Sequence, residues 1–196
     1  ATVISPPSIT ASSASRAISA RTLEIDGASF DPTAAGNSVV LDRDAVATVS
    51  SATSTSLSLT YTTLPMSTGN LTAVVSSFGV SSGQTQVATV VADPTVSPTS
   101  TTTRRNAAKI LVTSTGFDAA TPSANIVALS RGAAGTVTAA NATSLTVTIT
   151  TPPTSAGALT AVVSSNGGTS GSPVHVANIV STQASAWCVF FSDLSF

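Results

Sequence analysis

Hydrophobic and polar residues alternate along many short stretches of this chain. Residues 56–61 read Ser-Leu-Ser-Leu-Thr-Tyr, and residues 144–149 read Ser-Leu-Thr-Val-Thr-Ile. Alternation with a period of two, enriched in β-branched residues, predicts strands with one buried face. No stretch shows the sustained apolar period of a capped helix. The buried positions predicted in other stretches are Leu23, Ile25, Val39, Leu41, Leu71, Ala73, Val75, Ile110, Val112, Leu159, Ala161 and Val163.

The alternating pattern occurs twice. Leu-Thr-Ala-Val-Val-Ser-Ser at residues 71–77 returns unchanged at residues 159–165, and the two stretches quoted above lie at the same offset. A repeat of this size corresponds to a whole small domain, and the chain has room for two domains of about ninety residues. The repeat therefore predicts one domain at residues 1–92 and a second at residues 93–180.

Turn residues separate the predicted strands at intervals of about ten positions, as at Gly27, Gly36-Asn37 and Gly69-Asn70. Six or seven short strands in a domain of this length are typical of the immunoglobulin-like sandwich. We therefore predict an all-β protein of two tandem immunoglobulin-like β-sandwich domains. A short apolar C-terminal segment, residues 181–196, follows them.

The order of local motifs is the same in both copies. A Pro-containing lead precedes a strand that runs into Gly-x-x-Phe or Gly-Phe, ending at Phe30 and Phe117. A strand opening on Asn follows, at Asn37 and Asn125. A Thr-rich alternating strand, a proline and a Gly-bearing turn then lead into Leu-Thr-Ala-Val-Val.

This order resembles the IPT/TIG domain, an immunoglobulin-like module of extracellular receptors, adhesins and fibrous surface proteins. The resemblance covers nearly all of residues 1–180, although Ser114 stands where the family's pattern has glycine. It implies a spacer and interaction module and transfers no catalytic residues.

Charged residues make up only 8% of the chain, against about 25% in an average protein. The net charge of −1, with Arg104-Arg105 as the adjacent basic pair, argues against a nucleic-acid partner. We interpret that pair as solvated charges on a segment joining the domains. No apolar run reaches the ~18–20 residues of a membrane span. No signal peptide is visible in the sequence, and the chain begins at Ala1 rather than at a methionine. We therefore expect a mature or excised piece.

The residue types needed for catalysis are sparse. His175 is the single histidine and has no evident partner, so we expect a surface or edge histidine. Asp42 and Asp44 could offer oxygens to Ca²⁺, but calcium requires six to eight ligands, and we interpret them as a polar turn. Gly167-Gly168 lies in a strand connection and does not fit a phosphate-binding loop. The sequence predicts a protein that is not an enzyme and has no cofactor or metal.

Two sequons, Asn70-Leu71-Thr72 and Asn141-Ala142-Thr143, lie at turn-to-strand junctions. They are candidate N-glycosylation sites, or chance matches in a threonine-rich chain. The Ser/Thr/Pro-rich leads are candidates for O-linked sugars or hydroxyproline-linked glycans, or else are unmodified polar linkers. The candidates in these leads are Pro6, Pro7, Ser97, Pro98, Thr99, Thr101, Thr102 and Thr103.

The C-terminal segment, residues 181–196, has no counterpart in the first copy and is called the tail here. It is rich in apolar and aromatic residues, and a free strand-forming tail of that composition would aggregate. Three alternatives stay open: it packs on its own chain, it adds a strand to a neighbouring subunit, or it begins a further domain. Cys188 is the one cysteine, either a buried thiol or a partner for another chain. The candidate assembly residues are Trp187, Val189, Phe190, Phe191, Leu194 and Phe196.

Together these features predict a structural subunit of a glycosylated extracellular fibre or cell-surface appendage. The expected partner is the chain itself, in a homopolymer assembled head to tail through its terminal segments. The alternative is an adhesin or carbohydrate-binding stalk module of a larger secreted protein. An accessory fragment of a larger secreted enzyme is a third hypothesis.

Overall fold

The computed structural model describes residues 5–181, which form strands and two short 3₁₀ turns. The turns are Ala34–Gly36 and Pro122–Ala124. In the first repeat the strands are β1 (Ser8–Ile9), β2 (Ser15–Ala17), β3 (Thr22–Ala28), β4 (Asn37–Leu41), β5 (Val46–Ala52), β6 (Ser56–Thr63), β7 (Gly69–Ser77), β8 (Val80–Ser81) and β9 (Thr85–Val91). In the second they are β10 (Thr102–Arg104), β11 (Lys109–Thr113), β12 (Ile126–Leu129), β13 (Ala134–Asn141), β14 (Ser144–Thr151), β15 (Gly157–Ser165), β16 (Gly168–Thr169) and β17 (Val174–Val180).

The first repeat is a sandwich of two sheets. One sheet has the strand order β1-β3-β6-β5, and the other has the order β2-β9-β7-β4 with β8 beside β7. Neighbouring strands are antiparallel except β2 and β9, which run parallel. The alternation predicted from the sequence is present in β6, where Leu57 and Leu59 are completely buried and Ser58 between them is not. Burial of such side chains, about 2 kcal/mol each, is the main stabilising contribution to the sandwich.

The second repeat builds the same sandwich. Its sheets have the orders β11-β14-β13 and β10-β17-β15-β12, with β16 beside β15. The chain before β10 takes the place of β1: the Thr95 and Ser97 amides donate to the carbonyls of Thr115 and Thr113. Leu145 and Val147 are completely buried, as their counterparts in β6 are.

The all-β fold with two sandwiches is thus as the alternation predicts. Each sandwich has its own core of buried apolar residues, and the two cores share no residue. The division at residue 92 stays a prediction. The strands are more numerous than the six or seven expected in each copy, because short edge strands such as β1, β8 and β16 leave no period in the sequence.

The lead of the second repeat differs from the expected linker. Thr102–Arg104 is strand β10, which pairs in parallel with β17, and Arg105 continues this contact by donating its amide to the Val180 carbonyl. The Arg105 side chain also donates to the Pro153 carbonyl at 2.8 Å. Arg104-Arg105 is therefore part of the second sandwich. The interpretation of this pair as charges on a segment that joins the domains is wrong. Edge pairing by a polar segment leaves no hydrophobic pattern, which is why the sequence did not show it.

One arginine in each repeat fixes the turn that leads into the long central strand. Arg43 donates to the carbonyls of Asn70 (2.6 Å) and Thr68 (2.7 Å). Arg131 donates to Ala158 (2.6 Å) and Ala156 (2.7 Å) at the equivalent place. A planar guanidinium can bond several carbonyls at once, which a lysine ammonium does less well.

Tyr61 on β6 gives a prediction about alkaline stability. Burial raises the pKa of Tyr61 to about 12, an effect that the nearby positive charge of Arg16 reduces. Since the folded pKa lies above the unfolded value of about 10, this contribution to stability is complete below pH 10 and is lost as the pH rises through 12. Tyr61 is the single tyrosine, so ultraviolet titration follows it directly. A titration midpoint of Tyr61 near pH 10 would contradict this account. So would a Tyr61→Phe variant that loses as much stability between about pH 10 and 12 as the wild type does.

Candidate functional site

The two sandwiches meet where the β15–β16 turn of the second packs on residues 17–20 of the first. The Ala17 amide donates to the Asn166 carbonyl at 2.8 Å. Gly168 is buried against Ala17, so a Cβ added there would overlap the alanine methyl and lie 2.6 Å from Asp93 Oδ1. Ala20 is also buried, and a Cβ on Gly167 would lie 3.1 Å from its methyl. The joint is thus a contact between small residues that leaves no space for larger ones.

The connecting segment is fixed to both sandwiches. Asp93 accepts hydrogen bonds from the hydroxyl and the amide of Ser19, at 2.6 and 3.2 Å. Pro94 is almost completely buried. Gly116, at φ +83°, lies so near that a Cβ on it would be 2.8 Å from Pro94 Cα. Because the connection is short and held at both ends, the pair is expected to behave as one stiff unit.

A buried asparagine closes one end of each sandwich. Asn125 accepts from the Asp118 amide at 2.9 Å and donates to the carbonyls of Asp118 and Pro122, at 2.8 and 3.2 Å. Asn37 accepts from the Asp31 amide at 3.0 Å and donates back to the Asp31 carbonyl at 2.7 Å. The Asn of the sequence motif is therefore structural in both repeats.

The first sandwich has a β7–β8 turn that matches the β15–β16 turn of the joint. Phe78 and Gly79 have φ values of 53° and 78°, and Asn166 and Gly167 have 53° and 82°. The end of the first sandwich that carries residues 77–80 is called the leading end here. Phe78 is 47% exposed and Val80 is 38% exposed. The left-handed conformation at Phe78 costs roughly 1–2 kcal/mol and suits an asparagine far better.

The second sandwich has a surface that matches residues 17–20 of the joint, namely residues 104–107. The amides of Ile18 and Ala20 donate to the carbonyls of Val91 and Ala17; those of Arg105 and Ala107 donate to Val180 and Arg104. The end of the second sandwich with residues 104–107 is called the trailing end. The trailing end lies opposite the joint, because β15 runs from one to the other. Its first residue, Gly157, pairs with Ile179 at the trailing end, and its last residue, Ser165, borders the joint.

Both sequon asparagines lie on exposed positions. Asn70 is the second residue of β7. Asn141 ends β13, and its Oδ1 accepts from the amides of Thr143 and Ser144 at 2.9 and 2.8 Å. The Asn141 Nδ2 atom, to which an N-glycan would be attached, is not among these bonds. Glycosylation of either residue stays a prediction.

The candidates in the Ser/Thr/Pro-rich leads differ in accessibility. Pro6 is exposed, whereas Pro7 is buried and would have to leave its packed position to carry a sugar. The exposed candidates in the second lead are Ser97, Pro98, Thr101 and Thr102, while Thr99 and Thr103 are half-buried. The Thr99 and Thr101 hydroxyls lie 2.9 Å apart. The exposed residues Ser97, Pro98, Thr101 and Thr102 thus form an uncharged surface on the second sandwich, called its hydroxyl-rich margin here.

The remaining polar candidates have structural contacts. His175 lies on β17, an interior strand and not a sheet edge, and its Nε2 bonds the Ala177 carbonyl at 2.9 Å. Asp42 and Asp44 lie in a turn, as expected, and Asp42 accepts from the Thr72 amide at 2.9 Å. Within residues 5–181 no three His, Cys, Asp or Glu residues come together as a metal site would require. Over the same residues no helix has the length and hydrophobicity of a membrane span.

The aromatic tail candidates, Trp187, Val189, Phe190, Phe191, Leu194 and Phe196, lie outside the described residues, as does Cys188. What the sequence prediction missed is the joint itself. Its signal is the difference between the repeats at one turn: Phe78-Gly79-Val80 in the first and Asn166-Gly167-Gly168 in the second. A replacement of bulky residues by small ones in an otherwise similar turn indicates a closely approaching neighbour.

No family model matches the chain, and no curated protein sequence matches it. Among solved structures, the plexin A4 extracellular region, domains 1 to 10, is similar to 89% of this chain at 8% identity with a TM-score of 0.60. The chain spans only 16% of that protein. Domains 5–6 of the S-layer protein SbsC align over 92% of this chain and 99% of theirs, at 16% identity and a TM-score of 0.34. The strand order and the plexin likeness together show that this chain has a tandem immunoglobulin-like fold.

Proposed function

We propose that this chain is the structural subunit of a glycosylated extracellular fibre or cell-surface appendage that assembles head to tail. The observation that carries the proposal is the joint. Two similar sandwiches meet end to end, through Gly168 on Ala17 and through Asp93 bonded to Ser19. End-to-end stacking of stiff units is the geometry that a fibre subunit needs, since load then passes along the strands.

The surface supports an extracellular setting. With 8% charged residues, hydration of the surface depends largely on serine and threonine hydroxyls, or on sugars attached to them. The exposed sequons at Asn70 and Asn141 and the hydroxyl-rich margin of the second sandwich are accessible to glycosylating enzymes. The likeness to an extracellular region of plexin A4 agrees with this location.

The alternative, an adhesin or carbohydrate-binding stalk, has less support. A groove of about 670 Å³ lies along the joint, and its lining includes Arg16, Asp118 and Phe117. Sugar-binding sites commonly present an open aromatic face, with an apolar body for stacking and polar groups beside it. Phe117 is buried in the core of the second sandwich and offers no such face.

The test is made on the full chain isolated from its native source. We expect polymers in sedimentation velocity and an intact mass above the 19.2 kDa of the bare chain. Removal of residues 181–196 is expected to abolish polymerisation if the tail adds a strand to a neighbouring subunit, and to leave it unchanged if the tail packs on its own chain. Monomers at every concentration would overturn the fibre proposal, and a mass equal to the bare chain would overturn glycosylation.

A further inference from the structure

Among residues 5–181, no second sandwich packs on the two halves of the joint that the leading and trailing ends carry. At the joint, the β15–β16 turn covers Ala17 and Ala20, both buried. At the trailing end the equivalent residues are Arg104, which is exposed, and Ala107, which is partly exposed. The leading end has the equivalent turn, with Phe78 and Val80 in contact with solvent.

We infer that the Phe78-Gly79-Val80 turn at the leading end docks on residues 104–107 at the trailing end of a second copy of this chain. This inference rests on the proposed function and names the surfaces that the fibre would use. The joint inside the chain supplies the geometry, because there the equivalent turn of the second repeat packs on the equivalent surface of the first. A heterologous contact between opposite ends propagates without closing, and therefore gives a filament.

Charge favours the same pairing. Asp26 is exposed near the leading end of β3, and Asp31 follows in the turn after β3, where Asn37 bonds its backbone amide and carbonyl. The basic residues of the chain all lie elsewhere, and four of them are at the trailing end, listed here: Arg104, Arg105, Lys109 and Arg131. Opposite charges on the two ends steer the correct encounter and disfavour a contact between two like ends.

The contact between copies differs from the joint in its side chains. Gly168 has no room for a Cβ, so Val80 cannot approach Arg104 as closely as Gly168 approaches Ala17. A wider contact suits the residues present, since a guanidinium packs well on the face of an aromatic ring such as Phe78. Phenylalanine and arginine are also among the residue types enriched at protein interfaces.

The first test transfers the turn of the second repeat into the first. Phe78→Asn with Val80→Gly installs the residues that stand at 166 and 168, and asparagine is the better residue at φ 53°. The variant is therefore expected to keep or raise the melting temperature, while its critical concentration for polymerisation rises about 30-fold. Val40→Thr, at a side position that is 69% exposed, is the matched control and should polymerise normally.

The second test uses disulfide cross-linking in a Cys188→Ala background. A Cβ on Gly167 would lie 3.1 Å from that of Ala20, and Gly79 and Ala107 are the equivalent residues at the free ends. Gly79→Cys with Ala107→Cys should give a non-reducing ladder whose steps each equal the mass of one chain. The control pair Gly167→Cys with Ala20→Cys should close within one chain and stay at the position of a monomer.

The outcomes separate this inference from the proposal beneath it. Filaments from the wild type, with no ladder and with normal assembly of the Phe78→Asn/Val80→Gly variant, would overturn the docking surfaces and leave the fibre intact. A wild-type chain that never polymerises would overturn both. A ladder together with the raised critical concentration supports the end-to-end contact.

Discussion

Replacing Gly168 with valine is expected to uncouple the two sandwiches while leaving the second one folded. The new side chain would overlap the Ala17 methyl and lie against the Asp93 carboxylate and the Ser19 hydroxyl, which already bond each other. Val80 occupies the same place in the first repeat, so the β15–β16 turn itself accepts valine. Overpacking of this kind costs about 1–3 kcal/mol, and the pair avoids that cost by separating at the joint.

Calorimetry and small-angle X-ray scattering measure this effect. The wild type is expected to unfold in one transition, and Gly168→Val in two, with a larger radius of gyration before unfolding. Gly83→Ala is the matched control, because a Cβ at Gly83 meets nothing within 4 Å. A Gly168→Val variant with the single transition and dimensions of the wild type would show that the joint is not closely packed in solution.

Replacing Asn125 with alanine is expected to destabilise the second sandwich by about 2–3 kcal/mol. The substitution removes the acceptor of the Asp118 amide and the donor to the Asp118 and Pro122 carbonyls. Each buried polar group left without a partner costs about 1–3 kcal/mol. Because Ser165 also accepts from the Asp118 amide at 3.0 Å, the loss stays below the sum of all three bonds.

Urea denaturation gives the free energy of unfolding for this variant. Asn178→Ala is the control, since the Asn178 side chain is partly exposed and makes one bond of 3.3 Å to the Ser100 carbonyl. It should change stability by less than about 1 kcal/mol. Equal effects of the two substitutions would contradict the structural importance assigned to Asn125.

The architecture was predictable because it depends on local alternation. Leu57 and Leu145 stand in stretches with a period of two, and both are completely buried in the cores. The edge strand β10 was not predictable, since Thr102–Arg104 is polar throughout and pairs through its backbone. Such pairing requires no particular side chain, so it leaves no hydrophobic pattern.

The joint and the free ends depend on how two folded surfaces meet, which no period in a sequence encodes. Gly167 lies in the strand connection that the sequence predicts and Gly168 begins β16, but their contacts with Ala20 and Ala17 require the folded pair. The buried asparagines are an intermediate case. Asn37 and Asn125 opened a strand in the predicted motif, yet their partners are backbone groups several residues earlier, which become neighbours only when the turn forms.

Electron microscopy of the native assembly tests the central claim most directly, namely that this chain is the structural subunit of a head-to-tail fibre. We predict filaments whose repeating unit contains two sandwiches in line, with the leading end of each copy on the trailing end of the next. Well-dispersed single molecules, or filaments in which copies meet side by side with both ends free, would contradict it.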